Sequence, residues 1–179
     1  TPDDLVLSSS GLRFQGRIYP CSIGRSGLSN HKTEGDGATP KGVHAIIGML
    51  YRPDRLARPA RWARPILLGD LWSDDPKDKD YNMMVRAPYE KSHECLHRSD
   101  PLYDLILLTG WNWPYAVKNR GSAVFLHQWR RPGMPTEGCI GLRRRDLQHI
   151  AGAIKMRTRL INSKVMFRRG FSPQKLQIP

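Results

Sequence analysis

Apolar residues in this chain come in short runs fenced by glycine, proline and other turn-formers, a pattern that predicts strands rather than helices. Strands are predicted over Leu12–Tyr19, Val43–Leu50, Ile66–Leu68, Leu105–Thr109, Ala123–His127 and Val165–Arg168. In the first, Leu12, Phe14 and Ile18 alternate onto one face, with Gly16 in the same register. Later in the chain the period changes. Leu147, Ile150, Ala151 and Ile154 recur at helical spacing and predict one helix over Arg145–Arg157. A second, short helix is predicted within Glu90–Arg98, between Pro88 and Pro101. The Arg- and Pro-rich stretch Tyr51–Pro65 reads as a long loop, and the residues from Gly170 as a tail.

The chain has 179 residues, enough for one domain with a core of its own and too few to expect a second full domain. The expected organisation is a mainly β domain over 1–170 followed by a C-terminal tail, 171–179. No apolar run is long enough to span a bilayer, so no transmembrane segment is expected. No signal peptide is read in these residues, and the start at Thr1 rather than Met leads to the expectation that a targeting segment has been removed. Lys and Arg total 29 against 16 acids, a formal net charge of +13. Such a surface attracts polyanions: nucleic acid, a membrane surface or an anionic wall polymer. There is no basic–aromatic repeat and no zinc-finger spacing, so nucleic acid is not the expected partner. Charge alone does not choose between the others.

The cysteines are Cys21, Cys95 and Cys139. An odd count in an exported protein leaves at least one free thiol. A Cys21–Cys95 disulfide is one arrangement, which sequence does not settle. Cys139 has the most chemical surroundings. The segment Gly121–Leu142 reads GSAVFLHQWRRPGMPTEGCIGL. An apolar strand ends at His127, a loop with Pro132, Gly133 and Pro135 follows, and Thr136-Glu137-Gly138-Cys139 comes next. A strand end is a rigid mount for a base, and a glycine before the cysteine lets backbone amides approach a reacting carbonyl. The helix starting a few residues later is expected to favour a thiolate. A buried small cysteine and a core histidine would give the same spacing without chemistry.

This segment resembles the active-site motif of L,D-transpeptidase domains of the YkuD type, in which a strand-end histidine precedes a Ser/Thr-x-Gly-Cys element. The likeness extends over nearly the whole chain, especially to a compact, single-domain bacterial branch. It takes in Ile23–Gly27, Lys32–Gly42, Trp72–Pro76, Tyr81-Asn82, the stretch Asp100–Asn112 with Tyr103-Asp104, and Gly121-Ser122. The resemblance implies a β-sandwich of mixed sheets with one or two short helices. It implies Cys139 as nucleophile, His127 as base, and the Gln128 main-chain carbonyl as the group that orients the imidazole. Backbone amides of Glu137, Gly138 and Cys139 inherit the oxyanion role. Thr136, Trp129 and Gly141 are expected around the substrate, with Trp129 as a pocket wall. Two positions depart from many members: Glu137 replaces a frequent His, and Gly141 a frequent Arg or Asn. The implied substrates are peptidoglycan stem peptides in the sacculus, the implied location periplasmic or otherwise extracytoplasmic, and the implied state a monomer. Acylation by carbapenems is implied as well, and no cofactor or metal is. The products left open are 3-3 cross-links, 1-3 cross-links, L,D-carboxypeptidase hydrolysis and D-amino-acid exchange.

A competing motif is His93-Glu94-Cys95-Leu96-His97, which matches HExxH. On a helix the histidines would share a face and bind zinc, with Glu94 as base. The polar residues before His93, the short space between the prolines and the lack of a third ligand weigh against a zinc peptidase. A non-catalytic wall-binding domain is opposed by the intact Cys–His pair. The Glu34–Gly37 block reads as a turn cluster, Trp111 and Trp113 as packing, Arg143–Arg145 as a helix start, and Asp74 and Asp75 as pairing or capping residues.

Overall fold

The computed structural model describes residues 1–162. Its strands in chain order are β1 (Leu5–Ser8), β2 (Gly11–Phe14), β3 (Arg17–Tyr19), β4 (Cys21–Ser22), β5 (Leu28–Ser29), β6 (Thr39–Pro40), β7 (Gly42–Tyr51), β8 (Arg64–Pro65), β9 (Asp70–Ser73), β10 (Met84–Arg86), β11 (His93–Cys95), β12 (Leu105–Thr109), β13 (Phe125–Gln128), β14 (Ile140–Leu142) and β15 (Arg159–Asn162). A 3-10 turn, Pro101–Tyr103, precedes β12, and the helix α1 (Arg144–Ala153) lies between β14 and β15. The large sheet runs β3-β2-β1-β15-β7-β12-β13-β14-β4, with β8 beside β7. It is mixed: β1–β15, β13–β14 and β7–β8 are parallel, the other pairs antiparallel. A small antiparallel sheet, β10-β9-β11, stands apart, and β5 and β6 form a short parallel pair.

β7 joins the halves of the large sheet. Gly42–Ala45 pair with β15, whereas Ile46–Tyr51 pair with β12. The register shifts at Leu108/Thr109, next to Ile46, and such an irregularity bends and twists a strand. The bent sheet wraps a core formed by Leu5, Leu7, Leu12 and Phe14 on one side and Leu105, Leu107, Leu126 and Leu142 on the other, with Ile46 between them. Helix α1 closes that core with Leu147, Ile150 and Ala151. β12 and β13 are buried on both faces. Ile106 and Phe125 point the other way, into a second core with Trp72, Leu96 and Tyr103 beneath the small sheet. The period of two along β13 therefore sends Leu126 into one core and Phe125 and His127 toward the other.

The expected mainly β, mixed-sheet architecture with one clear helix is what forms. Leu105–Thr109 is a strand as predicted, and Val43–Leu50 is one extended by a residue at each end. Several local expectations need correction. Leu12–Tyr19 is a hairpin, not one strand: Gln15 and Gly16 both take positive φ, 46° and 74°, as a two-residue primed turn requires. Ile66–Leu68 is not a strand. The strand there is Arg64–Pro65, and Asp70 turns the chain back by accepting the Leu67 N–H at 2.7 Å. The predicted Glu90–Arg98 helix is absent, because His93–Cys95 satisfy their backbone groups by pairing with β9. The strand predicted from Ala123 begins at Phe125, since Ala123 has φ 50° and leaves the β region. α1 ends at Ala153, short of Arg157, because Ile154 is extended and the chain must turn into β15. The predicted Val165–Arg168 strand and the C-terminal tail lie outside the described residues. All three cysteines are free thiols, so the Cys21–Cys95 disulfide does not form here.

Ile46 is fully buried where the two half-sheets meet. Ile46→Ala should destabilise the fold by about 2–5 kcal/mol, the usual range for such a cavity. Urea titration checks this, and a loss below about 1 kcal/mol would show that the joint is not tightly packed.

Candidate active site

His127 and Cys139 reach the same place from neighbouring strands. β13 and β14 are parallel with Leu126 opposite Ile140 and His127 opposite Gly141. Cys139 immediately precedes β14, which sets its side chain beside the start of β13. There the Phe125 N–H donates to Cys139 Sγ at 3.3 Å, and the thiol donates to the Ala123 carbonyl at 3.1 Å. The His127 Nδ1–H donates to the Gln128 carbonyl at 2.7 Å. A carbonyl can only accept, so Nδ1 carries the proton and Nε2 is left as the acceptor. The Tyr103 ring packs edge-on against the imidazole, with centroids 5.3 Å apart. His127 and Cys139 both line a cleft of about 430 Å³ between the second face of the large sheet and the small sheet.

The TEGC element is held by a relay of side chains. Thr136 Oγ1 donates to the Cys139 carbonyl at 2.6 Å and accepts the Gly138 N–H at 3.2 Å. Thr39 Oγ1 donates to the Gly138 carbonyl at 2.8 Å. Gly138 has φ +143°, and a Cβ there would lie 2.9 Å from the Ala38 carbonyl oxygen. Only glycine fits this position. Glu137 is exposed at the cleft rim and pairs with Arg25.

Electrostatics favours a neutral pair at rest. Burial pushes the Cys139 thiol up to about 12, with the nearby Glu94 carboxylate adding to the effect against the Phe125 N–H and Lys32. Burial pushes His127 down to about 4, reinforced by the Arg98 and Arg130 guanidinium groups and opposed by the Gln128 carbonyl. A neutral imidazole with a free Nε2 is a competent base, but the thiol must turn from Ala123 to reach it. The expected thiolate at a helix N-terminus is corrected. Burial holds the thiol pKa up rather than down, and the strand β14 lies between Cys139 and the start of α1 at Arg144.

Of the residues singled out in the sequence, Cys139, His127, Trp129, Thr136, Glu137 and Gly138 all line the cleft, and Gln128 supplies its carbonyl from behind the ring. Gly141 does not line it. It is buried in β14, where a Cβ would lie 3.2 Å from the Trp129 Cβ. Arg144 is not a free cation either, since it pairs with buried Asp104 at 2.8 Å. The HExxH segment is a strand, so its histidines lack a shared helical face. Among the described residues no group of three or more His, Cys, Asp or Glu is placed to hold a metal ion.

The L,D-transpeptidase catalytic domain, YkuD, matches residues 10–165. The chain belongs to that family. A search of curated proteins gave no match. In this L,D-transpeptidase domain the cleft is also lined by charged side chains not expected there from sequence: Lys32, Glu34, Asp74, Glu94, Arg98 and Arg130. They come from four separate segments, so no local spacing marks them. Glu94 sits in the discounted HExxH motif; burial and the charge of Asp74 raise its pKa. Its nearest hydroxyl partner, Tyr103, is 3.4 Å away.

The resting thiol should be slow to alkylate. At pH 7 iodoacetamide should label exposed Cys95 before Cys139, and labelling of Cys139 should accelerate toward alkaline pH. Peptide mapping over a time course reads the order. Cys139 labelling first, at a rate flat with pH above neutrality, would mean that the thiolate already exists at rest.

Proposed function

We propose that this L,D-transpeptidase domain acts on peptidoglycan stem peptides, with Cys139 as nucleophile and His127 as the group that takes and returns its proton. The observation that carries the reading is the pairing, in one cleft, of a cysteine thiol with a buried imidazole whose only unprotonated nitrogen is Nε2. In the first step Cys139 Sγ attacks the carbonyl carbon of the third, L-centred residue of a tetrapeptide donor, and its proton passes to His127 Nε2. The negative charge that develops on the carbonyl oxygen is met by the backbone amides of Glu137 and Cys139, the Gly138 N–H being held by Thr136 Oγ1. The carbon–nitrogen bond to the terminal D-residue breaks, and that amine leaves with the proton from His127. A thioester on Cys139 remains. An acceptor amine then attacks it, gives a proton to His127 Nε2, and the thiol is restored as the sulfur leaves.

An acceptor amine from a second stem gives a 3-3 cross-link, or a 1-3 cross-link if the donor is cut after its first residue. Water in its place gives L,D-carboxypeptidase activity, and a free D-amino acid gives exchange. The reaction needs no cofactor. Peptidoglycan lies outside the cytoplasm, so a periplasmic or otherwise extracytoplasmic location follows from the substrate. Among the described residues no helix is long and apolar enough to cross a membrane. The charge of +13 suits a sacculus rich in carboxylates, and a monomer suffices because the cleft is built within one chain.

Muropeptides incubated with the wild-type enzyme should yield cross-linked or trimmed products by mass spectrometry. Cys139→Ala should abolish them, while Cys21→Ser and Cys95→Ser should not. His127→Ala should reduce turnover by about a hundredfold to ten-thousandfold, the usual scale for loss of a general acid–base group. Full activity of Cys139→Ala would refute the assignment. Sedimentation with purified sacculi should be strong at low salt and weak near 1 M, where the Debye length falls to about 3 Å. Binding indifferent to salt would point to a shape-specific groove instead of the charge.

A further inference from the structure

Residues 121–124 carry the thiol's acceptor yet belong to no strand. Ala123 is held at φ 50°, an uncommon conformation for a residue with a Cβ, so something outside the ladder must keep it there. The Ala123 N–H donates to Asn82 Oδ1 at 3.0 Å. Asn82 is 4% exposed and does not line the cleft. Its Oδ1 also accepts from Trp72 Nε1 at 3.0 Å, and its Nδ2 donates to the carbonyls of Trp111 at 3.1 Å and Asn112 at 2.9 Å. All four hydrogen-bonding positions of the amide are filled. The amide orientation is fixed by its partners, since a flipped group would set its NH₂ against two N–H donors. Asn82 itself has φ 61°, in the left-handed region that asparagine tolerates better than most residues.

We infer that Asn82 is a positioning residue for the Cys139 thiol, acting through the main chain of Ala123. One buried amide ties together β9, the turn before β10, the Trp111-Asn112 corner and the segment before β13. Through Ala123 it fixes the carbonyl that accepts the thiol proton. Through Trp72, whose ring packs edge-on against Phe125 at 5.0 Å, it supports the residue whose N–H donates to Sγ. The sulfur is thus held between one acceptor and one donor, with its departure toward His127 defined. The Ala123 carbonyl accepts from the protonated thiol and the Phe125 N–H donates to the sulfur in either form, so moving these two groups changes how readily Cys139 ionises within its buried setting. The inference rests on Cys139 being the nucleophile of the proposed reaction, but its effect on the thiol is measurable without that reaction.

The test compares Asn82→Gly with Asn82→Asp. Glycine accepts the positive φ and removes every side-chain bond; aspartate, in its protonated form, keeps an acceptor for the Ala123 and Trp72 N–H groups and one O–H donor for the Trp111 and Asn112 carbonyls. Cys139 alkylation is followed against pH in each, beside kcat, KM and the melting temperature. In Asn82→Gly the alkylation midpoint should move from the wild-type value, because the acceptor and the donor on the sulfur both lose their support, and kcat should drop by about a hundredfold, the scale of a misplaced reacting group, with KM little changed. Asn82→Asp should keep the wild-type midpoint and most of kcat. An unchanged midpoint and kcat in Asn82→Gly would overturn the inference. So would losses in both variants that simply follow the melting temperature. If Asn82→Gly does not fold, a shifted midpoint in Asn82→Asp overturns it alone. If the wild-type enzyme shows no turnover on muropeptides, the proposed function fails, while the alkylation profiles still decide the role of Asn82.

Discussion

The parallel pairing of β13 with β14 is the constraint on which the site depends. It sets Leu126 opposite Ile140 and His127 opposite Gly141, and so leaves Cys139 beside Phe125 at the mouth of the ladder. A slip of one residue would turn His127 into the core now holding Leu126 and carry the thiol away from its partners. That slip is opposed from both sides. Leu126 and Leu142 are locked beneath α1, and Phe125 is locked against Trp72 and Tyr103. Gly141 belongs to this argument rather than to substrate recognition. Its missing side chain lets Trp129 and Thr136 close over β14, which holds the TEGC turn against the histidine strand.

The same burial that fixes the pair also neutralises it. Cys139 and His127 are moved in opposite directions, the thiol up and the imidazole down, and desolvation is the leading cause of both. The resting enzyme is therefore a thiol and a neutral imidazole, with the proton shared with Ala123 rather than with the base. Such a state makes proton transfer part of the attack on substrate. A substrate carbonyl entering the cleft supplies the differential interaction that an empty site lacks. His127 also links the site to stability. Its folded pKa lies below the unfolded value of about 6.5, so its contribution is present above that value and is lost as pH falls toward about 4.

Much of this was legible in the sequence, for identifiable reasons. The short apolar run Leu105–Thr109 and the helical period through Leu147, Ile150 and Ala151 are local signals, and they predict the right elements. The Cys139–His127 pair lies within one short segment, so its spacing and the flanking TEGC element could be seen without a structure. What could not be seen depends on distant partners. His93–Cys95 is a strand only because β9 lies beside it, and Ala123 leaves the strand only because Asn82 holds it elsewhere. Tyr103, which packs on the histidine, and Glu94, which faces the sulfur, reach the cleft from a separate part of the chain. The thiolate expectation failed because desolvation of the thiol, which depends on the surrounding fold and not on the nearby sequence, holds its pKa up.

The central claim is that Cys139 becomes acylated by the donor stem and that His127 enables it. Intact-protein mass spectrometry during incubation with a tetrapeptide donor tests this most directly. The account predicts a covalent adduct equal in mass to the donor less its terminal D-residue, mapped to the Cys139 peptide, absent in Cys139→Ala and formed far more slowly in His127→Ala. Turnover of the donor with no adduct on Cys139, or an adduct on Cys21 or Cys95 instead, would contradict it.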